Sequence, residues 1–159
     1  MKKVTFLLAT LLIGGMMLTG CKKDEPQTSD TPSSKTAKVT YNISNTMMGA
    51  ITSDCFKYTL TYMGADGNTV TVNDVSLPWT SPELIVTLPF NAKLEGRATY
   101  KEEELPDQVY YGEVPTINVN GSPFEMGDEG IKFSAKNVFL MLIAENPDML
   151  NFSIAGKVE

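Results

Sequence analysis

The chain has 159 residues, a formal net charge of −6 and no histidine, and 42% of its residues are hydrophobic. That apolar share is enough for a packed globular domain and argues against disorder of the whole chain. Without histidine, His-based catalytic triads, proton shuttles and zinc ligand sets are excluded. The acidic balance argues against a nucleic-acid partner, because phosphate neutralisation requires clustered Lys and Arg.

The start of the chain has the organisation of a secretory signal. Lys2 and Lys3 form a positive n-region, and an apolar run of 13 residues follows from Phe6 to Leu18, interrupted only by Thr10. This run is shorter than the roughly 20 residues that a membrane-spanning helix needs. A charged start, a short apolar core and small residues before a cleavage site are typical of a signal peptide. We predict that residues 1–20 are this signal peptide.

The tetrad at the end of the apolar run, Leu18-Thr19-Gly20-Cys21, resembles the lipobox of bacterial lipoproteins. The resemblance implies that the Cys21 thiol receives a diacylglyceryl group, that cleavage occurs just before this residue, and that the new amine is acylated. An ordinary signal peptide cleaved elsewhere is the alternative. Each buried acyl CH₂ contributes about 0.8 kcal/mol, so two or three chains would make release from the membrane slow.

The residues after the cysteine indicate where the anchored protein is placed. No Asp follows Cys21 directly, so the inner-membrane retention signal of enteric lipoproteins is absent. The string Lys23-Asp24-Glu25 resembles the surface-export tag of Bacteroidetes-type lipoproteins. The resemblance implies a lipid-anchored protein of the outer membrane, displayed on the cell surface, with a periplasm-facing orientation as the second choice.

Residues 21–37 are predicted to be the lipidated cysteine and a flexible tether, and residues 38–159 a single domain. The stretch from Pro26 to Ala37 is rich in Pro, Ser and Thr and has no apolar residue larger than Ala. A tether of about 16 residues spans roughly 20–25 Å. The chain without its signal peptide carries 11 basic and 19 acidic residues, and an anionic surface would repel it. We therefore expect membrane contact through the lipid alone.

Alternating apolar and polar residues predict β-strands through most of the domain. Val39–Ser44 and Phe56–Tyr62 both alternate in this way. The segment Gly64–Asn68 is typical of a turn and joins Phe56–Tyr62 to the alternating run Thr69–Val75 as a hairpin. The other alternating strands are predicted at Leu84–Leu88, Leu94–Tyr100 and Leu150–Ile154.

The C-terminal half adds further strands. Val109–Asn120 is predicted as one strand bent at Pro115, and Asn120-Gly121 is the strongest hairpin signal in the chain. Val138–Ala144 is continuously apolar, which fits a buried strand or a short helix capped by Ser134, and its Val, Phe and Ile content favours the strand. About seven to nine short strands with regular turns predict an all-β, immunoglobulin-like antiparallel β-sandwich.

Several short motifs together resemble the small extracytoplasmic β-sandwich domain of the MmpS proteins. They are Val39-Thr40-Tyr41, Leu60-Thr61-Tyr62, Ala65-Asp66-Gly67-Asn68, Val75-Ser76-Leu77-Pro78-Trp79 and Ile117-Asn118-Val119-Asn120-Gly121. The resemblance covers about half of the chain and implies an all-β fold and an accessory role beside a membrane exporter. The chain differs from that family in its lipid anchor and in the single Cys55, where those domains often carry a cysteine pair.

Aromatic residues are the first candidates for contact with a ligand or partner. Trp79 follows Pro78 in a turn-like setting, where an exposed ring would stack on a sugar or fill a partner's pocket. Tyr110 and Tyr111 point to opposite faces of a strand, and with Tyr100 they are candidates for an aromatic patch. Packing inside the sandwich is the favoured interpretation for all four residues.

Charged and thiol side chains give weaker candidates. Glu102–Glu104 with Asp107 is the densest acidic run, and carboxylates bind Ca²⁺, but a solvated loop is favoured here and for Asp128-Glu129. Cys55 has no partner for a disulfide once the other cysteine is lipidated, so we expect a small packed residue. Arg97 is the only arginine, which excludes arginine clusters for phosphate or sulfate.

The sequence thus favours a non-catalytic lipoprotein that acts as a binding or accessory module for another envelope protein. Surface glycan binding, with Trp79 as the first contact, is the alternative. A glycoside hydrolase is the remote alternative, because no positioned pair of carboxylates is evident. We expect no cofactor, no metal and no nucleic-acid partner. The expected partners are the membrane, through lipid on Cys21, and an envelope protein or a glycan.

Overall fold

The computed structural model describes residues 34–47, 50–51, 54–127 and 132–159. The strands in these ranges are β1 (Thr36–Ser44), β2 (Thr46–Met47), β3 (Ala50–Ile51), β4 (Lys57–Met63), β5 (Thr69–Val75), β6 (Trp79–Thr80), β7 (Leu84–Thr87), β8 (Phe90–Thr99), β9 (Gln108–Tyr111), β10 (Val114–Val119), β11 (Ser122–Met126), β12 (Lys132–Ala135) and β13 (Asn151–Val158). One α-helix, α1 (Lys136–Glu145), and two 3₁₀ turns, Glu102–Glu104 and Pro147–Leu150, complete these ranges. The predictions for the signal peptide, Cys21, the Lys23-Asp24-Glu25 tag, the tether up to residue 33 and Asp128-Glu129 lie outside the described residues.

Two antiparallel sheets carry the fold. Sheet 1 has the strand order β11-β10-β1-β6, with β7 also paired to β1, and sheet 2 has the order β13-β8-β4-β5. Two short ribbons, β9 with β12 and β2 with β3, lie outside these sheets. The prediction of an all-β antiparallel sandwich is confirmed.

The core lies on the inward face of each sheet, where the alternation of the sequence places apolar side chains. Along β8 every second residue from Phe90 to Ala98 is buried. Along β1 the buried positions run from Ala37 to Ile43. Strand β1 therefore begins within the range predicted as tether, and Ala37, only 5% exposed, belongs to the core.

Both predicted hairpin turns are present. Asn120 and Gly121 have φ angles of 51° and 81°, the paired positive values of a type I′ turn, between β10 and β11. Between β4 and β5 the N–H of Gly67 donates to the carbonyl of Gly64 at 3.0 Å. The Asp66 carboxylate accepts the N–H of Asn68 at 3.0 Å, which further fixes this turn.

The predicted strand Val109–Asn120 is divided into β9 and β10, with Gly112 and Glu113 between them. Pro115 lies inside β10 and pairs with Ile43 of β1. Its carbonyl accepts the N–H of Gly127, just beyond the end of β11. Because the amide and carbonyl of a strand residue point to the same side, the missing N–H of Pro115 faces the point where β11 ends, and the one bond that proline cannot donate lies at the end of the ladder.

The prediction of a strand at Val138–Ala144 is wrong, because this segment lies in α1. Phe139 and Ile143 are four residues apart, so they lie on the same face of the helix, and both are buried. The apolar run therefore contributes to the core through one face of the helix. The N-cap is Ala135 and makes no side-chain bond, so Ser134 does not cap the helix. Instead, the N–H of Lys136 donates to the Asp107 carbonyl at 2.9 Å. Within the described ranges, no helix reaches the length and hydropathy of a transmembrane span.

Candidate functional site

Two of the predicted contact residues, Tyr100 and Tyr111, pack in an internal aromatic cluster with Phe56 and Phe139. The ring centroids of Phe56 and Tyr111 are 4.9 Å apart, and those of Tyr100 and Phe139 are 5.5 Å apart. Tilted and edge-on contacts at these distances are typical of aromatic packing. Phe139 comes from α1, so the helix closes this part of the core, and Tyr111 is only 2% exposed.

Tyr110 and Trp79 lie apart from that cluster. Tyr110 points to the other face of β9 and is 37% exposed. Trp79 is positioned by the pairing of β6 with β1, opposite Ile43, and its ring packs against Tyr62 with 5.8 Å between centroids. Tyr62 packs in turn on Tyr41 at 5.1 Å. The structure therefore does not bring the four predicted aromatic residues together in one surface patch.

The buried phenols near Glu113 remain neutral over the physiological range. The Tyr111 hydroxyl donates to the Glu113 carboxylate at 3.1 Å. Burial raises the pKa values of Tyr58 and Tyr111, and the nearby Glu113 carboxylate raises both further. These groups act as hydrogen-bond donors or packed rings, and not as bases.

The acidic run at Glu102–Glu104 forms an exposed 3₁₀ turn. The Lys101 ammonium pairs with Glu104 at 2.6 Å, and this contact raises the pKa of the lysine. In the part of the chain that the structure describes, no three His, Cys, Asp or Glu side chains are placed to hold a metal ion. Cys55 is partly buried against the core, and burial raises the pKa of its thiol, which lowers its thiolate fraction and its reactivity.

The outer side of α1 carries apolar residues in contact with solvent. Val138 is 38% exposed and Met141 is 53% exposed, and the exposed Ala144 lies on the same side one turn further on. We call these three residues the α1 face. A surface helix usually has a polar outer side. Because α1 is apolar on both sides, its outer side exposes apolar surface to solvent.

Acidic residues lie at both ends of the helix that carries the α1 face. The Lys136 ammonium donates to the Glu102 carbonyl at 2.6 Å, and the backbone of Lys136 bonds to Asp107, so the acidic loop is held at the start of the helix. Glu145 ends the helix, and Asp148 lies in the 3₁₀ turn that follows. The α1 face thus lies between acidic segments at the two ends of α1, which we call its acidic rim.

A second surface feature is an open groove of about 490 Å³ on the outward face of sheet 2. Strands β4, β8 and β13 supply its lining. The polar residues that line it are Thr59, Thr61, Glu95, Arg97, Asn151 and Ser153. Hydroxyl, amide and guanidinium groups on one face suit a polar ligand.

Neither surface is evident from the sequence. The prediction of a strand at Val138–Ala144 hides the α1 face, although the four-residue spacing of Phe139 and Ile143 is a helix signal. The groove depends on the strand order β13-β8-β4, which pairs segments far apart in the chain and leaves no local signal. No protein-family model and no curated protein matches this chain.

Proposed function

We propose that the protein is a non-catalytic lipoprotein of the outer membrane, anchored through acyl chains on Cys21, that docks on another envelope protein through the α1 face. The observation that carries the docking role is the exposure of Val138 and Met141 on a helix whose other side is already buried in the core. Exposed apolar clusters with polar rims are typical of protein interaction sites.

The negative charge near the α1 face indicates which kind of partner would bind there. Carboxylates of Glu102, Asp107, Glu145 and Asp148 would repel an anionic membrane surface. They would attract a protein with an apolar pocket edged by Lys or Arg, which would bind the centre and the rim together. The resemblance to the MmpS domains supports the same accessory role beside a membrane protein.

The anchor is tested on the native protein. Intact-mass analysis is expected to give a chain that begins at Cys21 and carries the added mass of two or three acyl chains. The variant Cys21→Ala is expected to leave the outer-membrane fraction. A native chain without acyl mass, or a Cys21→Ala variant that still fractionates with the outer membrane, contradicts the anchor.

The docking surface is tested with one substitution in it and a matched one outside it. Met141→Glu places a charge on the α1 face, and Ile85→Glu, at a residue 67% exposed on β7, is the control. Both variants should fold, because both side chains are exposed. We expect one discrete partner to be recovered from native membranes with the wild type and with Ile85→Glu, and at least about tenfold less with Met141→Glu. Equal recovery with both variants, or no discrete partner with the wild type, overturns the proposal.

The groove on sheet 2 favours a second candidate function, glycan binding. Its lining has hydroxyl and amide groups that hydrogen-bond to sugar hydroxyls. Among the described residues that line the groove, Glu95 is the single carboxylate, whereas glycoside hydrolysis commonly uses a pair. Titration of the ¹⁵N-labelled protein with a panel of oligosaccharides tests this function, with chemical-shift changes expected at Thr59, Arg97 and Asn151. A panel that produces no change at these residues contradicts it.

A further inference from the structure

The outward face of sheet 2 differs in charge from the rest of the domain. Residues 34–159 contain 9 basic and 16 acidic side chains, so the domain as a whole is acidic. The outward positions of β4, β8 and β13 carry four basic residues and one acidic residue. They are Lys57, Lys93, Arg97, Lys157 and Glu95, and a second acidic residue, Glu159, directly follows β13. This face would therefore attract an anion that the remainder of the protein repels.

Among the described residues that line the groove, Arg97 is the one basic group. Lys93 pairs with Glu95 at 2.9 Å, and Lys157 pairs with Glu159 at 2.5 Å. The Lys57 ammonium donates to a serine hydroxyl at 2.6 Å. Among the described residues, the Arg97 guanidinium takes part in no hydrogen bond and no ion pair, although it lines the groove.

The sheet register places polar side chains on both sides of Arg97. Thr59 of β4 and Asn151 of β13 are its direct partners on the neighbouring strands. Because adjacent strands lie about 4.8 Å apart, this row spans roughly 10 Å. The next outward row consists of Thr61, Glu95 and Ser153.

The hydroxyl groups of the face make only long internal hydrogen bonds. Thr59 contacts Asn73 at 3.3 Å, and Thr61 contacts Thr71 at 3.4 Å. These distances lie at the limit of hydrogen bonding, so the hydroxyls lose little when they turn towards a ligand.

The chemistry of this row fits a carboxylate on a molecule rich in hydroxyl groups. The planar guanidinium of Arg97 matches a carboxylate with two parallel hydrogen bonds. The Glu95 carboxylate, two residues along the same face of β8, is already paired with Lys93, so the uncompensated charge in the groove is the single positive charge of Arg97, which matches a monoanion better than a dianion such as phosphate. The hydroxyl of Thr59 and the amide of Asn151 can donate and accept as sugar hydroxyls do, and the internal bond of the Asn151 amide, from its nitrogen to the Asp148 carboxylate, is long at 3.2 Å.

We propose that the outward face of sheet 2 binds an oligosaccharide that contains uronic acid units, with the sugar carboxylate on Arg97 and sugar hydroxyls on Thr59 and Asn151. This proposal rests on the glycan-binding candidate above and names its sugar class. It concerns sheet 2 and is independent of docking through the α1 face.

The test compares a charged sugar with its neutral form. Trigalacturonate and its methyl ester share one backbone and differ in the carboxylate charge, and a hyaluronan tetrasaccharide supplies a second uronate. Calorimetric titration is expected to show that both uronates bind. Changes in ¹⁵N chemical shifts are expected to place the binding at the groove. The methyl ester and the Arg97→Gln variant should each weaken binding by about tenfold or more, as expected for a charged hydrogen-bonded pair. The control Lys38→Gln removes the same charge from β1 in sheet 1 and should leave binding unchanged.

The outcomes separate the two proposals. Equal affinity for trigalacturonate and its methyl ester, or for wild type and Arg97→Gln, overturns the uronate proposal but leaves glycan binding in the groove intact. Failure of every sugar to bind overturns both. Rising salt should weaken uronate binding, since the contact is exposed, and binding that does not change with salt also contradicts the role of Arg97.

Discussion

At the scale of single residues, two core tyrosines differ in what their hydroxyl groups contact. The Tyr41 hydroxyl donates to the carbonyl of Met63 at 2.9 Å. The Tyr58 hydroxyl is buried, and among the described residues it has no hydrogen-bond partner. A buried polar group without a partner loses its hydration and gains nothing in return, so the two hydroxyls should affect stability in opposite directions.

Substitution with phenylalanine distinguishes these two tyrosines. We expect Tyr41→Phe to lower the free energy of unfolding by about 1 kcal/mol, because a hydrogen bond is lost. We expect Tyr58→Phe to be neutral or to raise it by up to about 1 kcal/mol, because an unsatisfied hydroxyl is removed. Urea denaturation of the two variants beside the wild type measures both values. A loss for Tyr58→Phe as large as that for Tyr41→Phe would show that the Tyr58 hydroxyl is satisfied.

The same phenols predict how stability changes in alkali. Burial raises the pKa of Tyr41 to about 12 and raises that of Tyr58 as well, whereas an unfolded tyrosine titrates near pH 10. Their contribution to stability is therefore complete below about pH 10 and is lost as the pH rises towards 12, because only the unfolded chain releases these protons.

Urea midpoints between pH 8 and pH 12 measure this effect. The wild type should lose stability above about pH 10, and the double variant Tyr41→Phe/Tyr58→Phe should lose it less steeply. All other side chains are the same in both proteins, so the difference between the two slopes reports the two tyrosines. Parallel curves of urea midpoint against pH would show that the two tyrosines do not cause the loss of stability in alkali.

At the scale of elements, β8 and β13 are joined by a close contact at one glycine. Gly96 pairs with Phe152, and a Cβ built at Gly96 would lie 2.2 Å from two atoms of the Phe152 ring. The ring therefore occupies the space that a side chain would fill, and the sheet tolerates glycine here because the aromatic ring covers it.

Gly96→Ala tests this contact. We expect a loss of about 1–3 kcal/mol in the free energy of unfolding, because the ring must move from its packed position. The same substitution in a Phe152→Leu background should cost less, because the smaller side chain leaves room. Thermal and urea unfolding of the four proteins in this double-mutant cycle give the coupling. Equal losses of unfolding free energy in the two backgrounds would show that the Phe152 ring is not the source of the strain.

The elements also show what the sequence can predict. Strands β1, β4 and β5 and the turns at Gly67 and Asn120-Gly121 follow from local signals, a period of two and residues that accept positive φ. α1 does not, because Val138–Ala144 is apolar at every position and its β-branched and aromatic residues match a strand as well as a helix. Tertiary packing of Phe139 and Ile143 decides between these structures.

The candidate sites were less predictable than the fold. Large aromatic side chains such as Trp79, Tyr100 and Tyr111 occur both in binding sites and in cores, so the sequence does not distinguish the two roles, and in the structure all three pack against other rings. The row across sheet 2 around Arg97 joins three strands whose order arises only on folding. The sequence identified Arg97 as the single arginine, but it carried no information about which side chains would lie beside it.

At the scale of the whole molecule, two chemically different surfaces belong to one small domain. The α1 face is apolar with an acidic rim, and the outward face of sheet 2 is polar with an excess of basic groups. In the two proposals, the first surface binds a protein partner with basic edges and the second binds an acidic sugar. The proposed lipid on Cys21 would keep the domain close to the membrane.

Site-specific photocrosslinking in living cells tests the docking role most directly. A photoreactive amino acid placed at Met141 should yield one discrete crosslinked envelope protein, and the yield should fall at least about tenfold when Val138 is also changed to Glu. The same probe at Ile85, which is more exposed but lies outside the α1 face, should not yield this product. The same product from both positions, or none from Met141, would contradict docking through the α1 face.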